Sequence, residues 1–285
     1  MIDKKILNNL ICIKCAEKLI LKKNKLVCSK CRKSYRIVDN KPQMLDRLVK
    51  DFGKRDSDFI ISKLKIFFKK FPKVFSIFYY LFGASFVGKS SQKVIKNIGQ
   101  NKLIISLGSG IKKIRNDVIN VDFYPFTNVN VVADISRLPF KDGSVDVIIN
   151  EFVLEHVKDP RLVIKEIYRV LKTGGLVYIA VPFVASFHSS PDDYYRWSKE
   201  GIKKLMRDFK KIEIGVRCGP TSGMLSIINE WLATILSFGS KTLQQILLMF
   251  FMVITFPLKI FDYLIYKFPS SQNIAYGFYY IGKKK

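Results

Sequence analysis

Between residues 102 and 181 the chain alternates short apolar runs with polar turns, and this alternation limits the fold more than any other feature. The apolar runs occupy residues 102–107, 118–122, 129–133, 145–150 and 176–181. Their length and their Val and Ile content predict strands that are buried on both faces. Residues 160–171 instead repeat apolar side chains three and four positions apart, which predicts an amphipathic helix. Strands that alternate with helices at this spacing predict a doubly wound α/β sheet.

The last third of the chain predicts two more strands, which raises the expected number of strands in the sheet to seven. Residues 210–218 and 273–282 alternate apolar and polar side chains, a pattern typical of strands. Residues 219–272 separate them and contain two strongly apolar stretches, 224–238 and 243–266. We expect an apolar helical insertion between strands six and seven. It would either attach to a membrane or cover an apolar substrate.

Glycines and acids stand where several predicted strands end. Gly108 and Gly110 follow the first strand, Asp122 ends the second and Asp134 follows the third. Glycines after a strand let the backbone come close to a nucleoside ligand, and an acid that ends the next strand can bind ribose hydroxyls. Because the carboxyl ends of parallel strands meet at one edge of a sheet, the pattern predicts a ligand site there.

Five segments in order resemble the class I S-adenosylmethionine-dependent methyltransferases of the small-molecule type. They include A-D-I-S-R-L-P-F at 133–140, S-V-D-V-I-I-N-E-F-V-L-E-H-V at 144–157 and Y-R-V-L-K-T-G-G-L at 168–176. The resemblance covers about residues 100–217. It implies a Rossmann-like methyltransferase sheet and S-adenosyl-L-methionine as the cofactor.

The resemblance also assigns roles to single residues. Gly108 and Gly110 would pass under the methionine part of the cofactor. Asp122 would hold the ribose hydroxyls. Asp134 would lie near the adenine amino group, with Ile135 beside the ring.

Asn150, at the end of the fourth strand, would face both cofactor and substrate by the same resemblance. The sequence departs from the family in two places. Ser106 stands where an acid is usual, and Lys112 stands where a third glycine is usual. The short segment 111–117 also predicts that the first helix is reduced or missing. A non-catalytic scaffold with a methyltransferase-like domain therefore stays open as an alternative.

Four of the five cysteines form two C-x2-C pairs near the N-terminus: Cys12, Cys15, Cys28 and Cys31. Each pair can present two thiolates from one tight turn, and two such turns complete a tetrahedral site. The pattern predicts a structural Zn²⁺ with four protein ligands and no open position.

The segment from about residue 8 to residue 48 resembles the small zinc-ribbon proteins that activate tRNA and release-factor methyltransferases. After the second cysteine pair it carries Y-R-I at 35–37 and D-N-K-P-Q-M-L at 39–45. We therefore expect a zinc ribbon at 1–50, a basic amphipathic helical connector at 51–98 and the methyltransferase domain at 99–285, with the insertion at 219–272.

Both histidines of the chain fall in segments that follow predicted strands. His156 follows the fourth strand and His188 follows the fifth. The second segment resembles an H-x-x-P-x-D-Y-x-R-W-S motif of some small-molecule methyltransferases. His188 is the first candidate for a general base, and Asp193 is the alternative. His156, Tyr194 and Arg196 are candidates for contacts with the substrate. Asp193 and Arg196 could also simply pair and fix the loop.

The chain is strongly basic, with a formal net charge of +26. Residues 1–100 carry 24 basic and 7 acidic residues, so most of the excess lies in the N-terminal third. This charge predicts attraction to an anionic membrane surface or to nucleic acid. The apolar stretches at 74–87 and 243–258 are short for a membrane span, and no signal-peptide pattern opens the sequence. We expect a cytoplasmic protein that attaches peripherally to the membrane, with a protein partner left open.

The leading hypothesis is a methyltransferase that acts on a lipid-linked or glycan acceptor at the membrane surface. An RNA methyltransferase with a zinc-ribbon RNA-binding module is the second hypothesis, because the charge suits RNA. Asn150-Glu151-Phe152-Val153 lacks the N/D-P-P-Y/F type of motif that binds an amine acceptor. This argues against methylation of exocyclic amines and leaves methylation of ring nitrogens open.

Overall fold

The computed structural model describes residues 2–46, 83–188 and 192–285. Most of the predicted connector, including residues 74–82 of the apolar stretch 74–87, lies outside these residues. Of the connector's described end, Ser91–Ile95 forms a short helix, α2.

An eleven-stranded sheet forms the centre of the described part. The strands in chain order are β1 Leu19–Lys22, β2 Lys25–Cys28, β3 Ser34–Val38, β4 Lys41–Met44, β5 Ile104–Leu107, β6 Ile119–Asp122, β7 Val131–Ala133, β8 Val145–Glu151, β9 Leu171–Pro182, β10 Phe209–Cys218 and β11 Gly277–Lys284. Their spatial order is β1-β2-β3-β4-β7-β6-β5-β8-β9-β11-β10.

The seven strands from β5 onward form the predicted α/β sheet. Strands β7, β6, β5, β8 and β9 are parallel, and β11 lies antiparallel between β9 and β10. All residues of β5, β6 and β7 are buried, as expected for central parallel strands. Strand β11 begins four residues later than predicted, because Pro269–Asn273 forms a 3-10 turn. The α/β fold class predicted from the sequence is confirmed.

The helices around this sheet are few. Helix α1 spans Lys4–Asn9, α3 spans Pro160–Val170 and α4 spans Lys199–Leu205. Helix α3 buries Val163, Ile167 and Val170 against the sheet, and Asp159 caps its first turn. The described chain has no helix between β5 and β6, where the sequence predicted a reduced or missing one.

The cysteine-containing hairpins join the same sheet. Strands β1 to β4 form an antiparallel ribbon, and β4 then pairs in parallel with β7 through Gln43–Val132 and Met44–Ala133. A second contact lies just beyond β7, where Ile11 N–H donates to the Pro139 carbonyl at 2.9 Å. The ribbon therefore supports β7 and the segment that follows it.

The insertion between β10 and β11 is helical. Helix α5 spans Pro220–Leu236, α6 spans Lys241–Thr255 and α7 spans Phe261–Ile265, with a 3-10 turn joining α6 to α7. The run Lys241–Ile265 has 25 residues. Among the described helices, it alone could cross a membrane by its length and composition. Little of its surface is buried against the rest of the chain.

Candidate functional site

The turn after β5 depends on two glycines. Gly108 and Gly110 have φ angles of +65° and +55°, in the left-handed region that favours glycine. A Cβ on Gly108 would lie 2.5 Å from both methyl groups of Val153. The close approach shows that the segment after β8 packs directly on this turn.

Asp122 links the end of β6 to the same turn. Its carboxylate is buried and accepts hydrogen bonds from Gly110 N–H at 2.8 Å and Tyr124 N–H at 2.9 Å. The glycine turn and the acid that the sequence picked out therefore meet at one edge of the sheet.

Three further predicted residues lie along this edge. Asp134 follows β7 and accepts hydrogen bonds from the backbone N–H and the hydroxyl of Ser136, and Ile135 beside it is buried. Asn150, at the end of β8, is fully buried and donates to the Leu107 carbonyl at 3.4 Å. Its side-chain oxygen accepts no hydrogen bond from the residues that the structure describes.

Lys112 stands where a third glycine is usual in the family that the sequence resembles, and it belongs to a cluster of charged side chains. Lys112 forms an ion pair with Glu151, and Arg217 lies 3.6 Å from the same carboxylate. Burial alone would raise the pKa of Glu151, but these two cations hold it below its usual range. The Arg217 guanidinium also stacks on the Phe86 ring at 4.5 Å. Sequence reasoning missed this cluster, because its members are far apart in the chain.

The two histidines meet beside the cofactor edge. Their rings pack edge to face, with centroids 5.1 Å apart. The Nε2 atoms of His156 and His188 each lie 3.9 Å from Oε1 of Glu155. Burial raises the pKa of Glu155 to about 8 and lowers that of His188 to about 4. Glu155 was not predicted, although it precedes His156 directly in the sequence.

Asp193 and Arg196 pair, as one reading of the sequence held. Arg196 donates to both carboxylate oxygens of Asp193, at 2.5 and 2.6 Å, and to the carbonyls of Ala185 and Ser186. The His188 N–H also donates to Asp193 at 2.9 Å. Tyr194 is more exposed, and its N–H donates to the Glu155 carbonyl. Asp193 and Arg196 thus fix the loop that carries His188.

A protein-family model described as a methyltransferase domain matches residues 111–179. Residues 111–179 of this chain are therefore similar to a methyltransferase domain. A probable S-adenosylmethionine-dependent methyltransferase of Mycolicibacterium smegmatis is 29% identical over 109 residues, 33% of this chain and 42% of that protein. One from Mycobacterium tuberculosis is 36% identical over 69 residues, 24% of this chain and 25% of that protein. The chain thus spans well under half the length of these relatives.

A solved complex of the Haloferax volcanii Trm112 methyltransferase activator with a methyltransferase is 16% identical, with a TM-score of 0.45. The match covers 83% of this chain and 99% of that one.

The four cysteines lie together on the ribbon that pairs with β7. All four sulfur atoms lie within 4.8 Å of one another, with Cys12–Cys31 at 3.6 Å and Cys15–Cys28 at 3.4 Å. A tetrahedral ion with Zn–S bonds of about 2.3 Å separates its sulfurs by about 3.8 Å. The Tyr35 hydroxyl lies 3.2 Å from Cys12 Sγ and accepts from Ile13 N–H. The donor set therefore fits zinc.

Proposed function

We propose that this chain is an S-adenosylmethionine-dependent methyltransferase. The observation that carries the proposal is the hydrogen bond between Gly110 N–H and Asp122 across the ends of β5 and β6. It brings a glycine turn and a strand-ending acid to the edge where open α/β sheets bind nucleosides. The buried side-chain oxygen of Asn150, which accepts no hydrogen bond within the described parts of the chain, gives this edge a further polar group for a ligand.

The residues along this edge fit the parts of the cofactor. The backbone at Gly108 and Gly110 would approach the methionine part, Asp122 would accept from the ribose hydroxyls, and Asp134 and Ile135 would contact the adenine. Bound S-adenosylmethionine supplies a methyl group that is already activated. The protein then has to position the acceptor and exclude water.

We place the acceptor beside the loop that carries His188. His188 and Asp193 are the candidates for the general base, and His156, Tyr194 and Arg196 are the candidates for substrate contacts. The geometry favours His188 over Asp193 as a base, because Arg196 binds both oxygens of Asp193. Arg196 would then act through the loop, by holding Asp193 and the carbonyls before His188.

We further propose that the acceptor is lipid-linked or a glycan and that methylation takes place at the cytoplasmic surface of a membrane. Large apolar side chains of the insertion are exposed, including Trp231, Phe250, Ile260 and Leu264. Phe238, at the turn between α5 and α6, is 89% exposed. Exposed aromatic and aliphatic side chains on helices that also carry lysines are typical of interfacial attachment. The net charge of +26 would add attraction to anionic lipid.

Polar contacts favour a helix run that lies on the membrane surface over one that spans it. Asp262 is buried and accepts from the N–H groups of Thr221 and Ser222, which begin α5. Lys259 donates to the Gly83 carbonyl at 2.7 Å. A spanning arrangement of Lys241–Ile265 would break these contacts and carry both charges into the bilayer.

We also propose that Cys12, Cys15, Cys28 and Cys31 hold one structural Zn²⁺. Four thiolates leave no open position, so the ion would stabilise the ribbon. Its role in the methyltransferase would be to support β7, whose end carries Asp134.

The direct test follows a labelled methyl group. Purified protein is incubated with methyl-labelled S-adenosylmethionine and a lysate that has been separated into membrane lipid, soluble small-molecule, RNA and protein fractions. Asp122→Ala serves as the inactive variant. Asp208→Ala is the matched control, because Asp208 is an exposed acid outside the site.

Each outcome has a definite meaning. Label in the lipid or glycan fraction that Asp122→Ala loses and Asp208→Ala keeps would support the whole proposal. Label in RNA would replace the acceptor with nucleic acid and keep the methyltransferase activity. No label in any fraction, together with no cofactor binding, would favour the scaffold alternative.

A further inference from the structure

Three side chains converge outside the proposed cofactor contacts. Glu155 and His156 belong to the 3-10 turn Leu154–His156 after β8, and His188 follows β9. One ligand atom from each lies within 4.8 Å of the other two. Strands β8 and β9 are parallel neighbours, so their carboxyl ends place these residues at one point of the sheet edge.

The Nδ1 atom of each histidine faces an oxygen acceptor. His156 Nδ1 lies 2.6 Å from the Asp192 carbonyl oxygen, and a carbonyl can only accept, so Nδ1 carries the proton. His188 Nδ1 lies 3.4 Å from the Ser186 carbonyl and 3.6 Å from Asp193 Oδ2. In a neutral imidazole with the proton on Nδ1, Nε2 keeps its lone pair, and both Nε2 atoms face Glu155. Metal-binding histidines are held in the same way in proteins.

Glu155 would supply the negatively charged ligand, because a bound cation favours the ionised form of its carboxyl group. The side chain is wholly buried, and neither carboxylate oxygen accepts a hydrogen bond from the described residues. Burying a carboxylate without a partner is costly, whereas a bound cation removes that cost. Its Oε1 lies 3.9 Å from both Nε2 atoms. An ion with bonds of about 2.1 Å spaces its ligands about 3.0–3.5 Å apart, so small side-chain shifts would close the site.

We propose that Glu155, His156 and His188 bind a divalent transition-metal ion. Two imidazoles and one carboxylate suit zinc and iron better than magnesium or calcium, which prefer oxygen ligands. Three protein ligands leave at least one position open, unlike the four-cysteine site. In the metal-bound protein, His188 binds the ion and is not the general base.

The open position defines the class of acceptor. The three ligands lie beyond the carboxyl ends of β8 and β9, on the side where we place the acceptor. If the proposed function holds, the ion binds the oxygen of a hydroxyl, phenol or carboxylate acceptor. Binding to a metal lowers the pKa of a hydroxyl, so an oxygen acceptor gains most from this site.

Zinc content tests the site without methyl transfer. Full-length wild-type protein, Glu155→Gln and Glu17→Gln are equilibrated with the same buffered zinc and measured by elemental analysis. Glu17 is an exposed acid on the ribbon and is the matched control. We expect Glu155→Gln to hold one zinc fewer per chain than both wild type and Glu17→Gln. Equal zinc in wild type and Glu155→Gln would overturn the proposal.

A second measurement needs no variant. Anomalous diffraction at the zinc edge, from wild-type crystals, should show a peak between Glu155 and the two histidines in addition to one at the cysteines. A map with no peak there would also overturn the proposal. Because neither measurement uses a methyl donor or acceptor, failure of the metal site leaves the methyltransferase proposal standing, and the labelling experiment can fail independently.

Discussion

The contact between β4 and β7 joins the ribbon to the edge where we propose that the cofactor binds, and truncation of Met44 tests the importance of this contact. Met44 is the last residue of β4, is 1% exposed and pairs with Ala133. Asp134, the proposed adenine contact, follows Ala133 directly. Loss of the Met44 side chain leaves a cavity at the junction between ribbon and domain.

Met44→Ala should lower the free energy of unfolding by about 2–5 kcal/mol, the usual range for a buried Met→Ala change. For a chain of this size, that loss corresponds to a fall in melting temperature of roughly 4 °C or more. Leu21→Ala is the matched control, because Leu21 lies on the ribbon hairpin and is 45% exposed. Its effect should stay within about 0.5 kcal/mol.

Thermal unfolding measures the stability, and titration calorimetry measures the affinity for S-adenosylmethionine. We expect Met44→Ala to weaken cofactor binding as well, since β7 loses support beside Asp134, while Leu21→Ala changes neither quantity. The reasoning is refuted if Met44→Ala unfolds no earlier than Leu21→Ala. If its stability falls but the affinity does not, the ribbon stabilises the fold without supporting the cofactor edge.

Three further substitutions test separate parts of the account. Gly108→Ala should abolish detectable cofactor binding by calorimetry, because the new Cβ meets Val153 at 2.5 Å; wild-type affinity would contradict this. Asp262→Ala should lower the free energy of unfolding in urea by about 1–3 kcal/mol, since the first N–H groups of α5 lose their acceptor; an unchanged midpoint would show that this cap is dispensable. Phe238→Ser should reduce co-sedimentation with anionic vesicles without altering thermal stability, and equal sedimentation would count against attachment through this turn.

The sheet and its glycine turn could be predicted because local sequence determines them. Runs rich in Val and Ile are typical of buried strands, so β5, β6 and β8 lie close to their predicted bounds, and Gly108 marks the turn after β5. Asp122 and Asn150 were found because each ends or follows such a strand.

The contacts between distant segments could not be predicted in the same way. The pairing of β4 with β7 involves two residue pairs from segments about 90 positions apart, and no periodicity in either segment encodes it. Lys112, Glu151 and Arg217 also meet only in the folded chain. Glu155 was missed for a different reason: an acid beside a histidine is typical of an exposed turn, and its complete burial depends on the loop that carries His188.

The most direct test of the central claim is the affinity for S-adenosylmethionine, measured by titration calorimetry on wild type, Asp122→Ala and Asp208→Ala. The account predicts binding by wild type and by Asp208→Ala with the same affinity. Loss of the Asp122 carboxylate removes charge-assisted hydrogen bonds worth about 1.5–3 kcal/mol each, so its dissociation constant should rise at least about tenfold. Folded wild-type protein that gives no binding heat or thermal shift, or Asp122→Ala that binds as well as wild type, would contradict the account.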